Sequence, residues 1–454
     1  MLKKVNIFFL IFSLVLNFFT PDDYNYTFCL LINIAFLLQN SIYFVLSRRS
    51  LVSFEFFFMF AFYFVNFIYP VAYFPNNPTY GVFKYDFNYQ IISKATAVAY
   101  VAYTIYMFGL TYKKTTQDIT SQIDVSSFSK SFFPNLLIVF LGLAVSYIAS
   151  VGYAFFSGYD WYVEEENYSP VVSFINMSAS LFAMFLFFKE KKTERRMYAI
   201  LLLTFISVYL ISGSRNMPLG LLSIFVVTFH ERVRKIPSFV FLLSIVGGMI
   251  VFYVISLVRV DSIMEVSDLS GSIATSTESS VFNFASDLVY NNRNLYVLMD
   301  FADNFGYTYG LTMLSSFLGL IPYAGTLVSN MLGVPLDFMY VAGFNTFLEF
   351  GLGSTFGLGG NMVADVYLSF GFPGVLVLFF SLGVFMSNVI GKYRTSIGYY
   401  IIYFTMLGNA VFVNRESFFL PLRPILYSIL MFWILNKLFK NFTLKSKISA
   451  KQDE

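Results

Sequence analysis

The chain has one cysteine and one histidine, and these two scarcities remove several kinds of chemistry at once. Cys29 stands alone inside an apolar run, so no disulfide can staple the outer loops, and it reads as a small core hydrophobe. With His230 as the sole histidine, a zinc site built from His and Cys is excluded, and no recognisable loop would hold Mg²⁺ or Ca²⁺ on oxygen ligands. Charge is scarce too. Charged residues are 12% of the chain, the net charge is +3, and no block of one sign points to a nucleic acid. A Gly-x-x-x-x-Gly-Lys-Ser/Thr phosphate loop does not occur, which argues against an ATP-driven machine. Lys3 and Lys4 followed by the apolar stretch from Val5 to Phe19 imitate a secretory signal. The following residues, from Asn17 to Pro21, lack the small side chains of a cleavage site, so the stretch reads as an uncleaved first span.

What the sequence has in abundance is apolar surface. Hydrophobic residues make up 57% of the 454 positions and the mean hydropathy is +0.68, more than one soluble core can bury. The fold class expected is an all-α polytopic membrane protein of about twelve transmembrane helices, each roughly 15 to 25 residues. The spans fall near 5–20, 27–46, 51–74, 91–111, 133–152, 170–188, 197–213, 217–230, 237–258, 363–386, 398–413 and 419–436. With the amino terminus cytoplasmic, the basic residues collect on the inner side, as the positive-inside bias requires, and both termini are cytoplasmic. The organisation that follows is nine spans over 1–258, a long extracytoplasmic loop over 259–362, three spans over 363–436, and a basic cytoplasmic tail over 437–454. A structureless loop of roughly 100 residues is improbable, so short helices are expected in it, lying in the interface or dipping back under the protection of the bundle. Glu55 falls inside the third span, where a carboxylate needs a partner that the sequence does not name.

The basic residues left outside are Lys84, Lys94 and five arginines: Arg215, Arg259, Arg293, Arg415 and Arg423. Arginine presents a planar fork of donors that grips phosphate or carboxylate in two places, so the five together suggest a shared site for an anionic ligand. Taken singly, each serves equally well as an ion-pair partner of a loop carboxylate, and Arg215, in the tight turn Gly213-Ser214-Arg215-Asn216, can also snorkel to lipid headgroups. Arg423 sits between Pro421 and Pro424 near the top of a span, which is costly unless it lines a wet cavity or is paired. Acid–base candidates are the outer carboxylates, with Glu416, beside Arg415, and Asp365, at the start of a span, foremost among Asp261, Glu265, Asp268, Asp287, Asp300, Asp303, Asp337 and Glu349. The plain alternative for each is a solvated or ion-paired carboxylate. Exposed clusters such as Tyr307 and Tyr309 belong to an interfacial belt or stack on sugar rings.

These segments carry a family resemblance. The turn Ser212-Gly213-Ser214-Arg215, the long outer loop, the segment from Gly357 to Gly374 leading into a span, and the turn Asn414-Arg415-Glu416-Ser417 resemble the Wzy-type O-antigen and capsular polysaccharide polymerases. The resemblance implies a membrane glycosyltransferase of GT-C-like architecture in the bacterial cytoplasmic membrane. Such an enzyme moves the growing glycan from undecaprenyl pyrophosphate onto the next lipid-linked repeat unit at the outer face. It implies no cofactor, a lipid-linked oligosaccharide as substrate, membrane lipid as surroundings, and a chain-length regulator and a flippase as partners. By position, Arg215 and Arg415 match places where the family keeps arginines, and Arg259 and Arg293 are similar. The Arg-x10-Gly loop motif of some members is missing, because Ser270 and Asn304 stand eleven residues after Arg259 and Arg293. Two rivals remain. An O-antigen ligase relies on an outer-loop histidine, whereas His230 falls at a cytoplasmic end; a lipid-linked oligosaccharide flippase would show comparable halves with short outer loops.

Overall fold

The computed structural model describes residues 1–78, 87–112, 132–151, 170–188, 191–211, 216–263, 286–354 and 357–452, and every regular element among them is a helix. Among the described residues, three helices are long and apolar enough to cross a bilayer by themselves: α2 (Tyr26–Ser47), α4 (Ile91–Tyr112) and α14 (Met362–Lys392). Shorter apolar helices occur at Phe54–Asn66, Phe133–Ser146, Val172–Phe188 and Ser238–Ile250.

The described residues fall into two compact units. The first combines Met1–Thr116, Ser238–Gly391 and Ala410–Arg423. In it α1 (Leu2–Phe18) packs on α4, and the two are joined by polar contacts inside an apolar interface. Ser13 Oγ and Thr104 Oγ1 are 2.7 Å apart, and Asn6 Nδ2 donates to Thr111 Oγ1 at 3.0 Å. Away from water, such bonds give these polar side chains partners that lipid cannot and fix the helices' register. Phe36, Phe62, Phe67 and Tyr103 interlock beside them. Glu55, buried in α3 (Phe54–Asn66), finds its partner in Arg49. Helices α4 and α14 cross at Gly109 and Gly383, where a Cβ on Gly383 would stand 2.2 Å from Tyr106 O, so only glycine allows the backbones this close.

The span expected over 51–74 is broken. α3 ends at Asn66 and a π-helical turn follows at Tyr69–Tyr73. Pro70 supplies no N–H to the helical ladder, and the Asn66 side chain turns inward to bond Phe62 O at 3.0 Å. The long loop is largely helical where it is described. After α9 (Ser238–Ile263) come α10 (Ser286–Phe305), a 3₁₀ turn at Leu311–Met313, α11 (Leu314–Leu318), α12 (Ala324–Leu332), a 3₁₀ turn at Leu336–Met339 and α13 (Val341–Phe350). Far from lying on the surface, α10 is inserted against α3 and α4, and its Asn292 Nδ2 donates to Phe64 O at 2.9 Å. Helix α14 is interrupted at Gly371, whose φ of +64° is non-helical, with Pro373 just beyond.

The second unit combines Gln117–Pro237, Lys392–Asn409 and Pro424–Glu454. Its helices are α5 (Phe132–Val151), α6 (Pro170–Phe185), α7 (Lys192–Ile211), α8 (Asn216–Arg232), α15 (Ile397–Asn409) and most of α16 (Leu422–Gln452). Here too a glycine pair sets the closest approach. A Cβ on Gly220 of α8 would lie 2.7 Å from Gly408 O of α15, and Ser223 Oγ reaches Leu407 O at 3.3 Å.

Candidate active site

The site is built around a strap, Gly357 to Asn361, that joins the loop helices to α14. Gly359 has φ of +74°, and a Cβ there would press to 3.0 Å from Asn291 Oδ1 and 3.3 Å from Arg415 O. The amide of Asn294 lies 3.1 Å from Leu358 O, 3.2 Å from Gly359 O and 3.4 Å from Gly360 O, and Asn345 Nδ2 donates to Gly359 O at 3.1 Å. Thus α10 and α13 clamp the strap from its carbonyl side. Asn361 then caps α14: its Oδ1 accepts from Val363 N at 2.9 Å and Ala364 N at 3.1 Å, while its Nδ2 donates to Asn66 Oδ1 at 3.0 Å.

The turn Asn414-Arg415-Glu416-Ser417 is gripped at both ends. On one side Gly360 N–H donates to Arg415 O at 2.9 Å. On the other, fully buried Asp365 accepts from Ser417 Oγ at 2.8 Å and from Phe418 N–H at 3.0 Å, while its second oxygen accepts from Thr312 Oγ1 at 2.9 Å. Between the grips stands Glu416, half-buried and in extended backbone. Burial pushes its carboxyl up to about 7, against the pull of Arg415 and with a further push from Asp365.

The arginines expected to share one site have different surroundings. Arg415 is half-buried in the gripped turn, and Arg423, eight residues on, is exposed. Gly319 of the loop lies against the stem of Arg423, since a Cβ there would be 3.8 Å from Arg423 Cδ. Arg293 is fully buried and ion-paired with Glu349 of α13. Arg215 lies outside the described residues, as do Glu265 and Asp268, and so do the side chains of Arg259, Asp261 and Asp287. Lys94, one of the two lysines expected outside, pairs with Asp303 of α10 at 2.6 Å, and Tyr367 Oη donates to the other oxygen of that carboxylate at 2.9 Å. Burial raises Asp300, which accepts from Asn304 Nδ2 at 3.1 Å, and Asp337 accepts from Tyr340 Oη at 3.1 Å.

Sequence reasoning missed the asparagines. Asn66, Asn291, Asn294, Asn345 and Asn361 are buried together, and the run Asn291-Asn292-Arg293-Asn294, followed directly by Leu295-Tyr296-Val297-Leu298-Met299, was the available signal.

Compared with known families, the chain matches O-antigen polysaccharide polymerase Wzy over residues 3–447. The chain belongs to that family. No curated protein and no solved structure matches it. As a Wzy family member it is an inner-membrane protein of polysaccharide biosynthesis that polymerises O-antigen repeat units supplied as lipid-linked oligosaccharides. The assignment favours the polymerase over the flippase and ligase readings.

Proposed function

We propose that this Wzy polymerase transfers the growing glycan from undecaprenyl pyrophosphate to a hydroxyl of the next lipid-linked repeat unit, at the outer face of the cytoplasmic membrane, with Glu416 as base and Arg415 and Arg423 on the pyrophosphate. The observation that carries this reading is the two-sided grip on the Arg415–Glu416 turn, which brings a guanidinium and a carboxyl of raised proton affinity to adjacent positions. An acceptor oxygen attacks the anomeric carbon, its proton passes to Glu416, and the bond from that carbon to the pyrophosphate breaks. Charge grows on the leaving group, and arginines already in place stabilise it without reorganising. The donor bond supplies the free energy, so no nucleotide is needed.

Asp365, with both oxygens accepting hydrogen bonds, serves this scheme by holding the turn, and Arg293 serves it by fastening α10 to α13. Arg215 and Arg259 remain proposed phosphate ligands on the sequence argument. The body proposed is GT-C-like, with about twelve spans and both termini cytoplasmic, and a chain-length regulator and a flippase are its expected partners.

The test is a gel of surface polysaccharide from a deletion strain complemented by wild type, Arg415→Ala, Glu416→Gln or Arg215→Ala, with membrane levels of each protein matched. Loss of the ladder with a single repeat unit retained is expected for Arg415→Ala and Glu416→Gln. A full ladder from Glu416→Gln removes the carboxylate from the mechanism. Loss of even the single unit points to a transport defect.

A further inference from the structure

The loop segment from Gly306 to Leu348 has a single charged residue, Asp337, although it links helices on the side of the protein expected to face water. Its helix α12 is amphipathic: Ala324, Leu327, Val328 and Met331 share one face, and Thr326, Ser329 and Asn330 the other. In a water-soluble setting the apolar face would turn inward onto the protein. Here only one edge of it does: Ala324 and Val328 are half-buried, no residue of α12 is buried, and Leu327 and Met331 are 62% and 76% exposed, as is Ile321 at 67% just before the helix. That much apolar surface in one patch needs a cover.

Two further observations say what the cover is. The segment adjoins the outward face of α14: Gly310 lies against Phe370, within 3.1 Å of where its Cβ would be, and Phe370, Val377 and Phe385 are the exposed apolar side chains along that membrane-crossing helix. The loop that carries the apolar patch is thus seated against a helix whose own exposed side chains are apolar and suited to hydrocarbon. In addition, the patch is flanked by exposed tyrosines, Tyr309 and Tyr323, both with positive φ (51° and 63°). A bulky residue seldom adopts that conformation, and tyrosine, apolar in its ring and polar at its tip, suits the headgroup level.

We infer that α12 with its flanking turns is a monotopic membrane element, lying in the outer leaflet with Leu327 and Met331 among the acyl chains and Ser329 on the side facing the headgroups. The segment is tied to the turn described above, since Phe317 packs on Phe419 with ring centroids 4.8 Å apart and Ser316 Oγ reaches Ser417 Oγ at 3.3 Å. Anchoring α12 in lipid thus sets the depth at which Arg423 and the Arg415–Glu416 turn meet a substrate whose own tail is in the same leaflet. The inference rests on the membrane placement of the chain and on none of the chemistry assigned to Glu416.

The test is a spin-label scan. Each position from 324 to 332 is changed in turn to cysteine in the full-length protein, labelled, and reconstituted into phosphatidylethanolamine–phosphatidylglycerol vesicles; Cys29, fully buried, stays unlabelled. The expected result is a ratio of oxygen to water-soluble nickel collisions that oscillates with a period of about 3.6 residues, highest at 327 and 331 and lowest at 325 and 329. Nickel access at every position would place the helix in water and overturn the inference. Exclusion of both reagents at 327 and 331 would show a protein cover, such as a second copy, and overturn it equally. A periodic signal does not depend on any one substitution folding, and no activity is read, so failure here and failure of the proposed chemistry remain distinguishable.

Discussion

The two units each contain an arginine–glutamate pair, and the pairs differ in surroundings far more than in chemistry. Arg394 reaches Glu231 at 3.1 Å in the second unit with 46% of its side chain exposed, and Tyr393 Oη donates to the same oxygen at 2.5 Å. Arg293 meets Glu349 in the first unit with 1% exposed. Water screens the former, so it contributes little. For the latter, desolvation has already been incurred by both ions, and what matters is that neither is left without the other. A buried pair of this kind is less a source of stability than a condition for the fold: α10 can be inserted against α3 and α4 only if its guanidinium is answered from α13.

The contrast is sharpest when one partner is removed. Glu349→Ala leaves a buried guanidinium uncompensated and is expected to cost about 3–5 kcal/mol, read as a collapse of the thermal melt in detergent. The double change Arg293→Met with Glu349→Leu should recover most of that loss; if the double variant melts no higher than the single, burial of the charge is not the cause.

A smaller effect comes from Glu416, and its sign separates stability from activity. The folded protein holds this proton up to about pH 7, above the ordinary 4.5 of the unfolded chain. Its contribution to stability is therefore full below about 4.5 and is lost as pH rises through about 7. Activity should run the other way, rising through the same pH as the base is freed. Polymerisation in proteoliposomes across that window, beside melts of wild type and Glu416→Gln, would show the opposed slopes, with the variant's melt losing this part of its pH dependence. Parallel slopes would deny the carboxylate a role as base.

The smallest change is expected in the second unit. Arg394→Ala should shift the melt by about 0–1 kcal/mol, less at high salt, because the pair is screened. A shift matching that of Glu349→Ala would erase the distinction between the two pairs.

The helical class was legible from composition, since so much apolar surface with so little charge leaves the backbone few options other than helices. The turn at Arg415 and Glu416 stood out because charge beside a span is rare. What could not be read was pairing across the chain. Glu349 was one loop carboxylate among several until α13 was folded against α10, and Asp365 could not be joined to Thr312, Ser417 and Phe418 before the fold brought them to its oxygens. The break in the third span escaped for a related reason. Hydropathy averages over Asn66 and Pro70, while the backbone answers to each of them.

One bond at the interruption of α14 links two parts of the protein more closely than chain order suggests. In an unbroken helix the carbonyl of Leu368 would be taken by the amide four residues on. Because the helix parts at Gly371, that carbonyl is available to Thr308 N–H of the loop, which it accepts at 2.8 Å, while Tyr307 fills the space a side chain at 371 would need. The break that bends the helix is also what gives the loop its hold: one carbonyl, three residues before the glycine, is left open to the loop's backbone, and Thr308 Oγ1 lies 3.4 Å from the same oxygen.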